Sequence, residues 1–392
     1  MRTPLSIYNL LEGGWRTVLS IVGIGIAILL MFMQLGFLGA VRTTAVVVYD
    51  HLDFDLVVRS KDYYFLCDGR KFDRDRLFAI ESMEGVASTE PFHATLGKWS
   101  FPEENVQRGI FILGVAPSGS AFSDPEIGKR VNLLALDRHA LMDTKSSNSF
   151  LGSQGDNGFT QEDHVDKSIH FELNDKRFEL SGLFTLGAGL AADGAVILSE
   201  EGFARVMPGY GADDITVGLV KLEASADPEK TRDRIQKTLG EQGIQDIEVL
   251  TKDEIRDHEK EHWISGTPVG FIFFAGVVVA FIVGSIIVYI VLSSDVTRQI
   301  GEYATLKAMG YRNGYLARVV LEQAILMAVC AYVGAALVAF VVYYFVSDAT
   351  NLPIRMDWVR LATVLVASLT MCCVSGILAI QKLRKADPAD LF

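Results

Sequence analysis

The sequence predicts a membrane protein with four transmembrane α-helices and a large α+β extracytoplasmic domain inserted between helices 1 and 2. Half of the 392 residues are hydrophobic, and the mean hydropathy is +0.28. The apolar residues gather in four runs that are long enough to cross a bilayer as helices. The charged residues concentrate between residues 42 and 262. A chain that separates its apolar and charged residues in this way combines a membrane part with a soluble part.

The N-terminal stretch predicts a short surface helix followed by the first span. Residues 1–16 place apolar side chains from Leu5 to Trp15 on one helical face, which is typical of a cytoplasmic amphipathic helix at the membrane interface. A frayed terminus is the alternative. Residues 17–41 contain no charge and form transmembrane helix 1. This run exceeds the apolar region of about 7–15 residues in a signal peptide, so we expect a retained signal anchor with its N-terminus in the cytoplasm.

The next segment, residues 42–263, predicts an extracytoplasmic (periplasmic) α+β domain. Alternating apolar residues within 169–184 predict a β-hairpin, and Asp227 followed by proline predicts the start of a helix. Strands and helices mix without a regular βαβ rhythm, which favours α+β. The stretch 143–166 is rich in Ser, Asn, Gly and Asp and predicts a loop, which we consider as a boundary between two small lobes.

Three further spans follow in the C-terminal part. Residues 264–294, 315–346 and 358–380 predict transmembrane helices 2, 3 and 4. A short outer loop at 347–357 joins the last two, and residues 381–392 form a tail with lysine and arginine at its start. Positive charge marks the cytoplasmic side, so both termini are expected inside.

Two spans carry small residues at every fourth position, which would let a neighbouring helix approach closely. Apolar filler is the alternative, since Gly and Ala are common in membrane helices. The predicted packing residues are Gly276, Ala280 and Gly284 in the second span and Ala331, Ala335 and Ala339 in the third. Glu322 in the third span lies one helical turn from Arg318, which predicts a structural salt bridge.

The polar interval 295–314 lies between the second and third spans. Such an interval cannot sit in hydrocarbon without partners for its backbone and charges. It carries Arg298, Lys307 and Arg312, so the positive-inside rule places it in the cytoplasm. Apolar residues one turn apart and the following Gly310 predict a short amphipathic helix along the membrane surface. A solvated connector is the alternative.

Several stretches in the same order resemble ABC-exporter permeases of the FtsX/MacB type, and the DevC type most closely. They are LLMFMQLGF in the first span, GLFTLGAGLAADGAVILS and ISGTPVGFIFF in the middle, DVTRQIGEYATLKAMGY after the second span, and KLRKADPADLF at the end. The resemblance runs over nearly the whole chain.

That resemblance implies the permease subunit of an ABC-type tripartite export system in the bacterial cell inner membrane. Such a subunit is a homodimer that transmits motion from a separate ATPase to its periplasmic domain, with a lipid or glycolipid as cargo. Its implied partners are an ABC ATPase subunit, a periplasmic membrane-fusion (adaptor) protein and an outer-membrane TolC-like channel. It binds no cofactor itself, since ATP is used by the partner. The implied ATPase-coupling residues are Arg298, Glu302, Tyr303, Lys307, Met309, Gly310 and Tyr311.

Two other functions stay open on the sequence. His258, Glu259 and His262 match the H-E-x-x-H pattern of a membrane zinc metalloprotease, in which the histidines bind the metal and the glutamate is the general base. The polar composition around this motif favours a solvated extension of the second span's helix instead. An FtsX-like transmembrane regulator of a cell-wall enzyme is the other alternative.

Further classes of function are disfavoured. No G-x-x-x-x-G-K-[ST] phosphate loop and no G-x-S-x-G nucleophile motif occurs in the sequence. The net charge of −12 disfavours a nucleic acid as partner. We therefore expect a transport subunit rather than an enzyme, with no catalytic, cofactor-binding or metal-binding residues of its own.

Overall fold

The computed structural model describes residues 14–101, 107–118, 120–136, 138–146, 150, 169–187, 192, 194–298, 301, 305, 309, 311, 313–350 and 352–385. The chain divides into two compact units. The first, which we call the membrane unit, comprises Met1–Ala40 and Pro268–Phe392. The second, which we call the inserted domain, comprises Val41–Thr267.

Described helices and strands have the following bounds in chain order. The helices are α1 (Trp15–Thr44), α2 (Val47–His51), α3 (Asp75–Glu81), α4 (Pro125–Val131), α5 (Glu200–Val206), α6 (Pro228–Glu241), α7 (Lys252–Glu261), α8 (Pro268–Arg298), α9 (Asn313–Thr350) and α10 (Trp358–Lys385). The strands are β1 (Leu56–Ser60), β2 (Phe72–Asp73), β3 (Val86–Ser100), β4 (Gln107–Val115), β5 (His139–Asp143), β6 (His170–Leu173), β7 (Lys176–Phe184), β8 (Ala195–Ser199), β9 (Asp214–Ile215), β10 (Val217–Leu222) and β11 (Ile247–Thr251).

The membrane unit is built from α1, α8, α9 and α10. Each contains a stretch long and apolar enough to cross a membrane, and these are the four such helices among the described residues. Large apolar side chains such as Phe271 and Phe340 stay exposed on the outside of the unit. Alanines and branched residues fill much of its core, together with Met31, Phe32 and Tyr343. An apolar exterior of this kind is the surface that a helix bundle presents to lipid.

The inserted domain is organised by one sheet of nine strands in the order β11-β1-β10-β3-β4-β8-β5-β7-β6. Most neighbours are antiparallel, while β4 with β8 and β5 with β7 are parallel. Trp99 and Ser100 of β3 also pair with Leu173 and Glu172 of β6. The sheet therefore returns onto β3, and six of its strands form a closed ring around an aromatic core.

This ring corrects the expectation of two lobes with a boundary in residues 143–166. Strand β5 ends at Asp143, at the start of that stretch, and β6 begins at His170, just beyond it. Both strands belong to the same sheet, and residues Val41–Thr267 form one unit. A polar stretch in the sequence marks an excursion from a sheet as readily as a domain boundary. Most of 143–166 lies outside the described residues.

Local predictions within the domain are confirmed at two places. Strands β6 and β7 pair as an antiparallel hairpin, and the turn residues Asn174 and Asp175 both have positive φ, as a two-residue type I′ turn requires. Helix α6 begins where Asp227 caps it, with the Asp227 side chain accepting a hydrogen bond from the Lys230 amide.

The predicted continuous helix leading into the second span is wrong. Helix α7 ends at Glu261, a π-helical turn covers His262–Gly266, and Thr267 is extended (φ −119°, ψ 155°) before α8 starts at Pro268. Proline pushes the residue before it out of the α region and cannot donate a backbone hydrogen bond, so it suits the first turn of a helix. The break therefore follows from the Thr-Pro pair.

Candidate functional site

The segment predicted to couple to an ATPase lies between α8 and α9 and is described only in part. Arg298 ends α8 and pairs with Asp295 at 3.3 Å. Met309 and Tyr311 are 63% and 46% exposed, and the rings of Tyr311 and Tyr315 are 5.0 Å apart. The other predicted coupling residues lie outside the described part of the chain: Glu302, Tyr303, Lys307 and Gly310.

The small residues of the second span lie where α8 meets its neighbours. A Cβ atom added at Gly276 would be 2.4 Å from the side-chain amide carbon of Gln34 on α1. One added at Gly284 would be 2.4 Å from the sulfur of Met371 on α10 and 2.9 Å from Cβ of Ala27 on α1. At Gly284 the Cβ of Ala27 cannot rotate away, so a larger side chain would collide there, because atoms in contact normally stand further apart. At Gly276 a larger side chain would displace the flexible end of Gln34.

Ala280 of α8 and the alanines of the third span are also at the helix interfaces. Ala280 is 3% exposed, and Ala331, Ala335 and Ala339 of α9 are 1%, 5% and 0% exposed. A Cβ atom added at Gly25 of α1 would lie 3.7 Å from the carbonyl oxygen of Ala331. Small side chains thus allow the backbones of the helices to approach, and dispersion contacts between them hold a bundle in lipid.

Polar contacts add directional links between the helices. The Tyr332 hydroxyl on α9 donates to the Leu361 carbonyl on α10 at 2.9 Å. The Ser375 hydroxyl on α10 donates to the Ser285 carbonyl on α8 at 2.7 Å. The Tyr343 hydroxyl on α9 donates to a carbonyl of α1. Each link satisfies a hydroxyl that lipid could not hydrogen-bond.

Glu322 has the structural role that the sequence predicted for it. Its carboxylate accepts a hydrogen bond from Nε of Arg318 at 2.8 Å, one turn earlier on α9. The Arg318 side chain is 78% exposed. The pair therefore neutralises a charge near one end of a membrane helix.

The motif His258–His262 is not arranged as a zinc-protease centre. Glu259 is fully buried and accepts a hydrogen bond from the Tyr63 hydroxyl. The rings of His262 and Phe65 stack at 4.6 Å. A general base in such an enzyme must contact a metal-bound water, whereas this carboxylate lies in the domain core. Among the described residues, no group of three His, Cys, Asp or Glu side chains could hold a metal ion.

The buried carboxylate of Glu259 instead belongs to a hydrogen-bonded core cluster. The Tyr63 hydroxyl is 2.7 Å from that of Tyr49, and both rings are buried. Burial raises the pKa of the Glu259 carboxyl to about 7, although the Tyr63 hydrogen bond acts in the opposite direction. This corrects the interpretation of the motif as a solvated helix extension. Its partner Tyr63 stands 196 residues earlier, so the sequence offers no local sign of the contact.

A cavity in the inserted domain is a site that the sequence did not reveal. Its volume is about 680 Å³, and it lies beside β3 and α5. The side chains that line it include Arg74, His93, Glu200, Phe203, Arg205, Tyr210 and Asp214. They come from well-separated segments of the chain, so no short sequence motif predicts the cavity.

Comparisons with known proteins give one family match and several structural likenesses. Residues 273–388 match the family described as FtsX-like permease C-terminal. That match spans most of α8 and reaches past the end of α10. No curated protein matches the chain.

Three solved structures illustrate the structural likenesses. The periplasmic region of MacB from Actinobacillus actinomycetemcomitans is 9% identical, with 53% of this chain and 92% of that chain covered and a TM-score of 0.37. The extracellular domain of the noncanonic ABC-type transporter YknZ from Gram-positive bacteria is 14% identical, with 50% and 99% covered and a TM-score of 0.34. A domain of a putative permease protein from Porphyromonas gingivalis is 14% identical, with 52% and 89% covered and a TM-score of 0.29.

The close helix contact predicts a strong effect of Gly284→Leu. The new side chain collides with Ala27 and Met371, so we expect a loss of about 1–3 kcal/mol in stability. Gly334→Leu on α9 is the matched control, because a Cβ there meets nothing within 4 Å. Thermal unfolding of the detergent-solubilised protein measures both. Equal melting temperatures for the two variants would contradict this packing.

The buried carboxyl predicts a pH-dependent stability. Between about pH 4.5 and 7 the folded protein holds a proton on Glu259 that the unfolded chain has lost, so stability falls as the pH rises through this range and levels off above it. Glu259→Gln should abolish this component and stabilise the protein at pH 8 by up to about 3 kcal/mol.

The measurement is the melting temperature of the full-length protein between pH 4.5 and 8.5, with unfolding detected by tryptophan fluorescence. Glu241→Gln is the control, since the Glu241 carboxylate is 68% exposed. The assignment fails if Glu259→Gln and the wild-type protein lose stability equally as the pH rises.

Proposed function

We propose, from the match of residues 273–388 to the FtsX-like permease C-terminal family, that this chain is the permease subunit of an ABC-type export system and relays the motion of a separate ATPase. The family match and the four apolar helices support a multi-pass membrane protein of the ABC-permease class. The family match is the observation that carries the proposal, because it covers α8–α10 together with the polar interval between α8 and α9.

A separate ATPase supplies the motion in this proposal. The 392 residues of this chain include no glycine-rich loop with the lysine that ABC ATPases use to hold the phosphates. The interval between α8 and α9 is the segment that we propose as the docking site. Met309 and Tyr311 are large side chains that stay exposed there. Exposed apolar and aromatic groups of this kind commonly anchor protein interfaces.

The membrane unit suits the transmission of motion better than the conduction of a polar cargo. No row of charges follows the four spans, as a lined ion pathway would require. Helices that pack closely at Gly276 and Gly284 move together as a rigid unit and do not bend independently. We therefore propose that ATP-driven displacement at the α8–α9 interval is passed through the bundle to the inserted domain.

The finer assignment is a tripartite efflux system. In this scheme the chain forms a homodimer in the bacterial inner membrane, with both termini in the cytoplasm and the inserted domain in the periplasm. A periplasmic adaptor and an outer-membrane TolC-like channel complete the assembly, and the cargo is a lipid or glycolipid. The resemblance of DVTRQIGEYATLKAMGY and KLRKADPADLF to the DevC type supports each of these assignments.

Charge reversal in the α8–α9 interval tests the proposal. We expect Glu302→Lys and Lys307→Glu to abolish co-purification of the ATPase while leaving membrane insertion intact, since a reversed charge at an interface meets a repulsive partner. Asp348→Lys, in the exposed end of α9, is the control that should retain the ATPase. The measurement is the yield of ATPase recovered with the tagged permease from solubilised membranes. Full recovery with both variants of the interval would rule out this docking site.

A further inference from the structure

Two distant segments of the inserted domain bring four aromatic side chains together. We call Tyr64, Phe65, His262 and Trp263 the aromatic patch. The rings of Phe65 and His262 stack with their centroids 4.6 Å apart, and the rings of Tyr64 and His262 meet edge to face at 4.6 Å. Trp263 packs edge-on against both Phe65 and His262 at 5.8 Å. Contacts of this kind hold the four rings in one arrangement.

The aromatic patch lies at the surface of the domain. Tyr64 is 55% exposed, and the other three side chains are half-buried. A tight turn fixes the backbone that carries Tyr64 and Phe65, since the Tyr64 amide donates to the Asp68 carbonyl at 3.2 Å and the Asp68 amide donates to the Phe65 carbonyl at 2.8 Å. Contiguous apolar groups at a surface mark an interaction site more often than single ones do. The patch is therefore available to a partner.

The position of the patch in the chain indicates which partner it meets. Trp263 precedes Pro268, the first residue of the apolar helix α8, by five positions. Large apolar side chains of α8 are exposed from its first turn onward, with Phe271 71% and Ile272 62% exposed, so the lipid contact of α8 begins there. The headgroup region of one leaflet is roughly 5–8 Å thick. The chain connection thus places Trp263 close to the boundary of the bilayer, the depth at which Trp and Tyr are enriched.

The charges beside the patch disfavour recognition of a headgroup by its charge. Exposed residues of both signs flank the two segments, namely Lys61, Asp62, Arg70 and Glu261. Burial lowers the pKa of the His262 imidazole, so this ring is uncharged at neutral pH. What remains is an aromatic surface whose tyrosine and tryptophan carry a polar group at one end, which suits a lipid interface that is apolar on one side and wet on the other.

We propose that the aromatic patch rests in the headgroup region of the membrane on the side of the inserted domain. The domain would then have a lipid contact in addition to its two covalent connections to the spans. Because Tyr64 and Phe65 follow β1 whereas His262 and Trp263 follow α7, the contact holds both segments at the same depth. This inference is independent of the proposed transport function, because lipid contact requires no ATPase.

Quenching of tryptophan fluorescence by lipids that are brominated just below the headgroup tests the proposal in full-length protein in nanodiscs. The reporter variant carries Tyr64→Trp together with phenylalanine in place of Trp15, Trp263 and Trp358. Trp99 stays, since it is 0% exposed in the core of the domain. We expect the brominated lipids to remove about half or more of the emission from the tryptophan at position 64, because an interfacial ring reaches the labelled depth.

The matched control is Phe78→Trp in the same background. Phe78 is 56% exposed, nearly the same as the side chain at position 64, but it belongs to α3. Leu77 of α3 packs in one cluster with Val58 of β1, whereas α7 packs in the cluster that contains Val57. Adjacent residues of a strand point to opposite faces of the sheet, so α3 and α7 lie on opposite faces. The control should keep its emission, and equal quenching at positions 64 and 78 would overturn the proposal.

Two further measurements separate lipid from other partners of the patch. If the tryptophan at position 64 is shielded from acrylamide in the water phase but is not quenched by brominated lipid, a protein surface covers it and the proposal is wrong. Nanodiscs of phosphatidylcholine with and without phosphatidylglycerol should give the same quenching. Quenching only with phosphatidylglycerol would show that headgroup charge, and not the aromatic surface, holds the patch.

Thermal unfolding shows whether each variant is folded, and the native Trp263 supplies a second test if Tyr64→Trp melts early. Two proteins with phenylalanine in place of Trp15 and Trp358 are compared, one of which also carries Trp263→Phe. The difference between their emissions is the contribution of Trp263. We expect brominated lipids to quench this contribution, and its persistence in brominated lipids would contradict the proposal.

Discussion

Close contact between helix backbones is the constraint on which the membrane unit depends. Lipid tails are as apolar as leucine side chains, so burial from water cannot drive the helices together within a bilayer. Association then depends on dispersion contacts, which fall off steeply with distance. Gly276 and Gly284 allow α8 to reach α1 and α10, and the alanines of α9 remain buried. Packed surfaces of this kind have few alternative arrangements, and for this reason we propose that the bundle transmits displacement.

The inserted domain is constrained differently, because its wide mixed sheet would otherwise leave unpaired strand edges. The pairing of Trp99 in β3 with Leu173 in β6 turns six strands into a ring and removes two free edges that could otherwise pair with another chain. Trp99 itself stacks on Phe171 at 3.8 Å inside this ring. On the other side of β3, the sheet continues to β10 and the helices that cover it. The cavity at His93 lies along β3 where these two parts of the domain adjoin.

The sequence predicts features that depend on local pattern. Four long apolar runs, two of them without any charge, predicted the four helices. The alternation in residues 169–184 predicted the hairpin, and Asp227 before a proline predicted the start of α6. Contacts between distant residues left no such pattern. Glu259 appeared solvated because its neighbours in sequence are charged, yet its partner Tyr63 belongs to another element. His93 stands in a strand that mixes polar and apolar residues, so its sequence context gave no sign of the cavity.

The side of the membrane on which the α8–α9 interval lies tests the central claim most directly, because only a cytoplasmic segment can receive force from an ATPase. Single cysteines at Tyr311 and Asp348, in a variant without the four native cysteines, can be treated in intact cells with a membrane-impermeant maleimide. The account predicts that the cysteine at 311 reacts only after the inner membrane is permeabilised, whereas that at 348 reacts in intact cells. Labelling of position 311 in intact cells would contradict it.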